Sequence, residues 1–150
     1  STLHTLDAPG ALTRLQHMGV PPYQLAASIS LVVAQRLVRQ LCPHCRQPQQ
    51  LHPAQWLAAG LPEAQASARP QAWQAVGCAR CHQGYRGRTG IFQLMPIDNS
   101  LQDAMLQQAA SHQLQALARQ AGMDSLRQAG LRKVLQGETS LQEVLHATTD

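Results

Sequence analysis

The sequence has few aromatic residues and few charges. Aromatic side chains make up 3% of its 150 residues and charged side chains 13%, the latter about half of the usual share. The hydrophobic fraction of 44% is still enough for a core, which must consist mainly of leucine, alanine and valine. The length fits one domain or two small ones.

Lysine is almost absent, since Lys133 is the only one and every other formal positive charge is an arginine. The net charge is +4. Arginine suits bidentate contacts with carboxylates and phosphates. Nucleic-acid binders often carry denser basic clusters, so an acidic protein partner or a nucleotide phosphate fits the composition equally well.

Long hydrophobic runs are also missing. The longest apolar stretch covers roughly ten residues, from Leu25 to Ala34, with two serines inside it, whereas a membrane span needs about 20. No secretory leader is visible, so we expect a soluble chain without a membrane anchor of its own. Because "STLHT" starts like a strand with no turn before it, we expect a piece of a longer protein.

The motifs of a self-contained catalytic site are absent as well. A P-loop needs Gly-Lys-Ser/Thr, whereas Lys133 follows Arg132 in a predicted helix. The chain has no Gly-x-Ser-x-Gly nucleophile motif, and its acidic residues form no convincing pair for acid–base work. We therefore expect no complete catalytic site in these residues alone.

All four cysteines fall into two Cys-x-x-Cys pairs, Cys42-Pro-His-Cys45 and Cys78-Ala-Arg-Cys81. Each pair can form a tight knuckle that offers two thiolates, and two knuckles close a tetrahedral shell around one zinc ion. A closed shell leaves no open coordination position. The pattern therefore predicts a structural zinc site.

Other interpretations of the cysteines remain open. Disulfides would need an oxidising compartment, and a thioredoxin-like site would use one pair rather than two. Cys81 is followed by His82, which matches a haem-attachment motif literally but leaves the first pair unexplained. His44 or His82 could replace a thiolate as a ligand, although four cysteines already complete the set.

The first 41 residues predict two helices and one ambiguous element. Asp7, with Pro9 in the first turn, begins a helix that Gly19 ends. Pro21-Pro22 opens a second helix that we expect to run through Val32. The stretch "VAQRLVRQL", residues 33–41, fits a helix or a strand.

Later residues predict a short helix in "PAQWLAAGL", a loop with a short element in "ARPQAWQAV", and a strand in "RTGIFQLMPI" that Pro96 ends. Four helices are expected after that strand, over residues 100–108, 111–121, 124–136 and 140–146. Ser100 with Asp103, and Ser140 with Glu143, resemble capping boxes.

Two further spots could contribute to chemistry. His4, at the end of a predicted strand, could bond a phosphate or position a water, or simply be a satisfied histidine. Arg86 and Arg88 project from a glycine turn that is most simply a solvated surface. Arg36 and Arg39 would share a face in a helix but point to opposite sides in a strand.

Four stretches in order carry a resemblance to a known family: "STLHT", "AQRLVRQLCPHC", "GYRGRTGIFQLMPID" and "GM.SLRQ.GL.KVL.G.TSL.EVL". They resemble the C-terminal part of the type II secretion and type IV pilus assembly ATPases, the traffic ATPases of the GspE/PilB kind. The resemblance covers nearly the whole chain and favours the strand interpretation of "AQRLVRQL".

The resemblance implies an α/β fragment of a RecA-like ATPase core, with an inserted tetracysteine zinc module and a small C-terminal helical domain. The segments would be residues 1–41 for the core, 42–85 for the zinc module, 86–97 for a strand returning to the core, and 98–150 for the helical domain. Leu6 and Gln93 depart from the Asn and the acidic residue common in the family, and the loop from Cys81 to Gly84 is a residue shorter than in many members.

The resemblance also implies a function. The parent would be a hexameric cytoplasmic ATPase, peripheral at the inner membrane through platform proteins, that drives pilin or pseudopilin assembly. His4 would be its His-box residue, near the γ-phosphate, and the four cysteines would bind zinc. The Walker motifs would precede these residues, so ATP and Mg²⁺ belong to the full-length parent and the chain alone should not hydrolyse ATP.

Two other functions compete with that one. The chain could be a stand-alone zinc-ribbon module for nucleic acid, or a metal-stabilised adaptor that binds only proteins. A nucleic-acid module would need aromatics interleaved with basic residues near the knuckles, and Tyr85 is the only aromatic beside them. We therefore expect no nucleic-acid partner.

Overall fold

The computed structural model describes Leu3 and residues 5–149, and it contains helices and strands in mixed order. Strands β1 and β4 pair in one two-stranded sheet, and β2 pairs antiparallel with β3 in another. In chain order the elements are α1 (Ala8–His17), α2 (Pro22–Ser28), β1 (Leu31–Leu41), β2 (Gln47–Gln49), α3 (Pro53–Ala59), α4 (Glu63–Ser67), β3 (Ala72–Gln74), β4 (Tyr85–Pro96), α5 (Asn99–Leu106), α6 (Ser111–Gln120), α7 (Leu126–Leu135) and α8 (Leu141–Ala147).

Side-chain caps start several of these helices where the sequence predicts them. The Asp7 carboxylate accepts a hydrogen bond from the Gly10 N–H at 2.8 Å, which confirms it as the N-cap of α1. The Ser140 hydroxyl likewise accepts from the Glu143 N–H at 3.3 Å and caps α8. The Ser100 cap is wrong, because α5 begins earlier and Asp98 accepts the Leu101 N–H at 2.8 Å.

The second predicted helix also ends earlier than expected. Helix α2 stops at Ser28, Ile29 is already extended, and Val32 lies in β1. Stiff β-branched side chains favour the extended backbone here. Residues 33–41 are therefore a strand.

The described residues of 1–35 and 92–124 form the first of two compact units. Its core gathers buried apolar side chains from α1, α2, the end of β4, α5 and α6, including Leu12, Met95 and Leu114. Gln93 is 2% exposed, and its Oε1 accepts the Ala8 N–H at 2.8 Å. The uncharged Gln93 amide thus satisfies one backbone N–H in the first turn of α1.

The second unit contains the described residues of 36–91 and 125–150. The insert between the two sheet strands supplies Trp56, Ala66 and Ala72 to its core, and α7 and α8 supply Leu131, Val134 and Val144. Trp56 is fully buried. The last two helices therefore share a core with the cysteine-bearing insert, whereas α5 and α6 pack in the first unit. The segments 42–85 and 98–150, as domains of the family, stay a prediction.

Among the residues that the structure describes, no helix combines the length and the apolar character needed to cross a membrane.

One ion pair ties the end of β1 to the start of α8 within the second unit. The Arg39 guanidinium lies 2.5 Å from the Glu143 carboxylate, which also accepts the Arg39 backbone N–H at 3.1 Å. The Thr139 hydroxyl donates to the Arg39 carbonyl at 2.8 Å, and the Leu41 N–H donates to the Glu138 carbonyl at 2.9 Å. Because Glu143 bonds Arg39, its side chain is not used in the capping box that the sequence suggested.

We predict that Glu143→Gln lowers the free energy of unfolding by about 1–2 kcal/mol, since it weakens a charge-assisted bond from a half-exposed arginine to a largely buried carboxylate. Chemical denaturation would measure this. The matched control is Glu138→Gln, because the Glu138 carboxylate that pairs with Lys133 is more exposed than that of Glu143; its expected loss is below about 0.5 kcal/mol. Equal losses would contradict the assignment.

We also predict that the effect of Glu143→Gln on the free energy of unfolding depends on pH. The hydrogen bond from Arg39, opposed by burial, holds the pKa of Glu143 below its ordinary value of 4.5. The stabilisation is therefore fully present above about pH 4.5 and is lost as the pH falls through the lower folded pKa. The difference in unfolding free energy between wild type and Glu143→Gln should vanish in that acidic range, and a constant difference would count against it.

Candidate metal centre

The first knuckle follows directly from the end of β1. The N–H groups of Cys45 and Arg46 donate to the Cys42 carbonyl at 3.3 and 3.0 Å, which closes the turn between the two cysteines. The Cys42 N–H donates to the Gly84 carbonyl at 2.9 Å. This bond joins the first knuckle to the hairpin that leads out of the second.

The second knuckle precedes a tight hairpin. The Cys81 N–H donates to the Cys78 carbonyl at 3.2 Å, and His82 and Tyr85 exchange two backbone hydrogen bonds of 3.0 Å. Gln83 and Gly84 between them have φ of 51° and 84°, the left-handed pair of a type I′ turn. A Cβ on Gly84 would lie 2.6 Å from the Ala75 Cβ, so only glycine fits this position.

The two knuckles bring all four sulfur atoms together. The Sγ–Sγ distances are 4.0 Å from Cys42 to Cys78, and 3.7 Å from Cys81 to both Cys45 and Cys78. All four ligand atoms lie within 4.8 Å of one another. A tetrahedral ion with bonds of about 2.3 Å would place its thiolates about 3.8 Å apart, so the residues fit a closed four-thiolate shell.

The same geometry bears on the other interpretations of the cysteines. The shortest of these sulfur distances is far above the roughly 2.05 Å of a disulfide, and all four thiols are free. Cys78 and Cys81 face the first pair of cysteines, an arrangement that a haem-attachment motif does not need. His44 and His82 lie exposed beside the knuckles and are not members of the cluster.

Backbone N–H groups point at two of the sulfurs. The Gly77 N–H donates to Cys45 Sγ at 3.3 Å and the Cys78 N–H to Cys81 Sγ at 3.2 Å. Burial among the neighbouring thiols nevertheless raises the pKa of Cys45 to about 11. Burial also opposes ionisation of Cys81, but hydrogen bonds led by that from the Cys78 N–H outweigh it and lower its pKa to about 7. The cluster therefore contains one thiol that ionises readily and one that resists it.

Arg46, next to the first knuckle, contacts the residue that follows the end of α7. The Arg46 guanidinium lies 4.5 Å from the centroid of the Trp73 ring and donates to the Gly137 carbonyl. A Cβ on Gly137 would lie 2.8 Å from the Trp73 ring. In the sequence Gly137 simply follows the predicted helix of residues 124–136, and no local pattern shows that Arg46 and Trp73 reach it.

The other candidate residues from the sequence are four arginines and His4. Arg36 and Arg39 both lie in β1, and Arg39 covers the Tyr85 ring at 4.1 Å from its centroid. Arg86 and Arg88 are exposed in β4. His4 lies outside the described residues, so its role stays a prediction.

The chain is thus a mixed α/β structure in which four thiols lie close enough together to hold one metal ion. The family described as Type II/IV secretion system protein matches residues 1–146. The chain therefore belongs to this family, and the resemblance expected from the sequence is confirmed.

The chain is similar in sequence to named proteins of type II secretion and type IV pilus assembly. The chain is 44% identical over 151 residues to Type II secretion system protein E of Aeromonas hydrophila, covering 100% of this chain and 29% of that protein. It is 47% identical over 147 residues to the Type IV pilus assembly ATPase TfpB of Acinetobacter baylyi, covering 97% and 25%. It is 41% identical over 150 residues to the Type IV pilus assembly ATPase PilB of Pseudomonas aeruginosa, covering 100% and 26%. The chain thus spans only a quarter to under a third of these relatives.

Proposed function

We propose that this chain is the C-terminal portion of a hexameric cytoplasmic ATPase that powers pilin or pseudopilin assembly in type II secretion or type IV pilus biogenesis. The parent would be peripheral at the inner membrane through platform and assembly proteins. The family match over residues 1–146, with relatives named as a type II secretion system protein and as a type IV pilus assembly ATPase, carries this proposal. Those relatives are more than three times longer than the chain, so the activity belongs to the parent.

In this proposal residues 1–41 and the returning strand of residues 86–97 belong to a RecA-like ATPase core. Residues 42–85 form the tetracysteine zinc module, and residues 98–150 form the small C-terminal helical domain. A chain of mixed helices and strands with a separate cysteine cluster is compatible with this assignment.

The ion at the cysteine cluster would be structural zinc held by Cys42, Cys45, Cys78 and Cys81. Four thiolates fill its coordination sphere, so it supplies cohesion rather than a reactive position. The chain's own residues do the positioning, since the knuckle turns and the N–H donors of Gly77 and Cys78 orient the sulfurs.

His4 would contribute to nucleotide hydrolysis in the parent, beside the γ-phosphate. Walker motifs would lie in preceding residues of the parent, together with its ATP and Mg²⁺. The isolated chain, which has no Gly-Lys-Ser/Thr sequence, should therefore be inactive.

The exposure of the aromatics counts against a nucleic-acid module. Tyr85 is 8% exposed, its hydroxyl lies 2.8 Å from Ser140 Oγ, and Arg39 covers its ring. Trp73 is only half-exposed and is stacked under Arg46. Tyr85 therefore offers no ring face to a base, and Arg46 already covers one face of Trp73.

We predict that the full-length parent hydrolyses ATP and that His4→Ala lowers its kcat at least about tenfold, because a group near the γ-phosphate acts in the transition state. A steady-state phosphate-release assay measures this. The matched control is His17→Ala, at an exposed histidine of α1, which should leave kcat unchanged. Activity in the isolated chain, or an unaffected His4→Ala parent, would contradict the proposal.

A further inference from the structure

Charges are distributed unevenly between the two units. The second unit carries ten basic and four acidic residues, a formal net charge of +6, while the first carries two basic and four acidic residues, a net charge of −2. Four thiolates with one divalent ion would add a formal −2 to the second unit, which would still leave +4. The metal centre alone therefore does not explain the excess of arginine.

Some of these basic side chains have structural partners. Arg39 binds Glu143, Arg46 binds Gly137 and Trp73, and Lys133 lies 2.7 Å from Glu138. These contacts hold the second unit together. These contacts do not account for the other arginines of the insert.

Arg80, Arg86 and Arg88 form what we call the arginine surface. All three are exposed, and none makes an ion pair within the part of the chain that the structure describes. Arg80 lies two residues before His82 and Arg86 directly follows Tyr85, so the paired backbone of His82 and Tyr85 places both on one short hairpin. Arg88 follows in the same strand, β4.

Counter-charges are scarce in the surrounding sequence. Glu63 is the only acidic residue between positions 36 and 91, against seven arginines. Unbalanced like charges repel one another, and surfaces that concentrate one sign attract partners of the opposite sign. The surface is therefore suited to a partner that supplies the missing negative charge.

We propose that the arginine surface docks an acidic surface of a protein partner. Guanidinium groups pair bidentately with carboxylates, and arginine is enriched at protein interfaces. Membrane-surface segments are instead typically amphipathic helices with bulky apolar side chains, whereas this surface lies on a turn and a strand. The covered rings of Tyr85 and Trp73 argue against nucleic acid, as above.

This inference deepens the proposed function by locating a contact surface for the assembly machinery. It rests on that function only in making the partner a component of that machinery. Arg80 is adjacent to Cys81 and would also offset the charge of the metal centre. The test therefore uses Arg86 and Arg88.

The experiment measures binding of a fluorescent 16-residue peptide of alternating glutamate and serine to the metal-loaded chain, by anisotropy at low and high salt. Arg86→Gln/Arg88→Gln should weaken binding at least tenfold. The matched control, Arg14→Gln/Arg119→Gln, removes the same charge from exposed positions of the first unit and should change binding less than twofold. Arg86→Lys/Arg88→Lys keeps the charge but removes the planar guanidinium, which can form two hydrogen bonds with one carboxylate. This variant should lose affinity by an intermediate factor.

Metal content and the thermal midpoint, measured for every variant, show that each is folded. No peptide binding, or equal weakening by both glutamine pairs, would overturn the proposal. Tighter binding to phosphatidylglycerol vesicles or single-stranded DNA that depends on Arg86 and Arg88 would also overturn it, by assigning the surface to another class of partner. The assay contains no ATP, so its result is independent of the ATPase test.

Discussion

The convergence of four sulfur atoms is the constraint on which the second unit depends. Cys42 and Cys78 are 36 residues apart in the chain, yet their sulfurs lie 4.0 Å apart. The first knuckle follows the end of β1, the second leads into β4, and the Cys42 N–H bonds the Gly84 carbonyl between them. Strand pairing and thiol geometry therefore support each other, and an ion in this shell would close a long loop that otherwise costs entropy.

That closure extends beyond the insert because α7 and α8 share its core. Val134 and Val144 belong to the same core as Trp56. Arg46 donates a hydrogen bond to the Gly137 carbonyl. The Tyr85 hydroxyl bonds Ser140, close to the ion pair between Arg39 and Glu143. Residues on either side of the knuckles thus contact the last two helices directly. Loss of the ion should loosen those helices as well as the knuckles, and this coupling is one way in which a metal without an open position can matter to function.

Local chemistry made part of this arrangement predictable. The Asp7 and Ser140 caps, the strand through Ile91 and the pairing of the two Cys-x-x-Cys motifs each follow from a few neighbouring residues. The start of β1 was missed because Val32 continues a helical spacing while its branched side chain favours the strand. The Arg46–Trp73–Gly137 contact and the shared core join distant segments, and a single sequence contains no local signal for such pairings.

We propose above all that the four cysteines hold one zinc ion and thereby organise the second unit. X-ray absorption at the zinc K-edge, on chain purified without chelator and with its metal content measured, tests this most directly. The account predicts one zinc per chain with four sulfur ligands at about 2.3 Å. A chain without metal, or a zinc shell with nitrogen or oxygen in place of any sulfur, would contradict it.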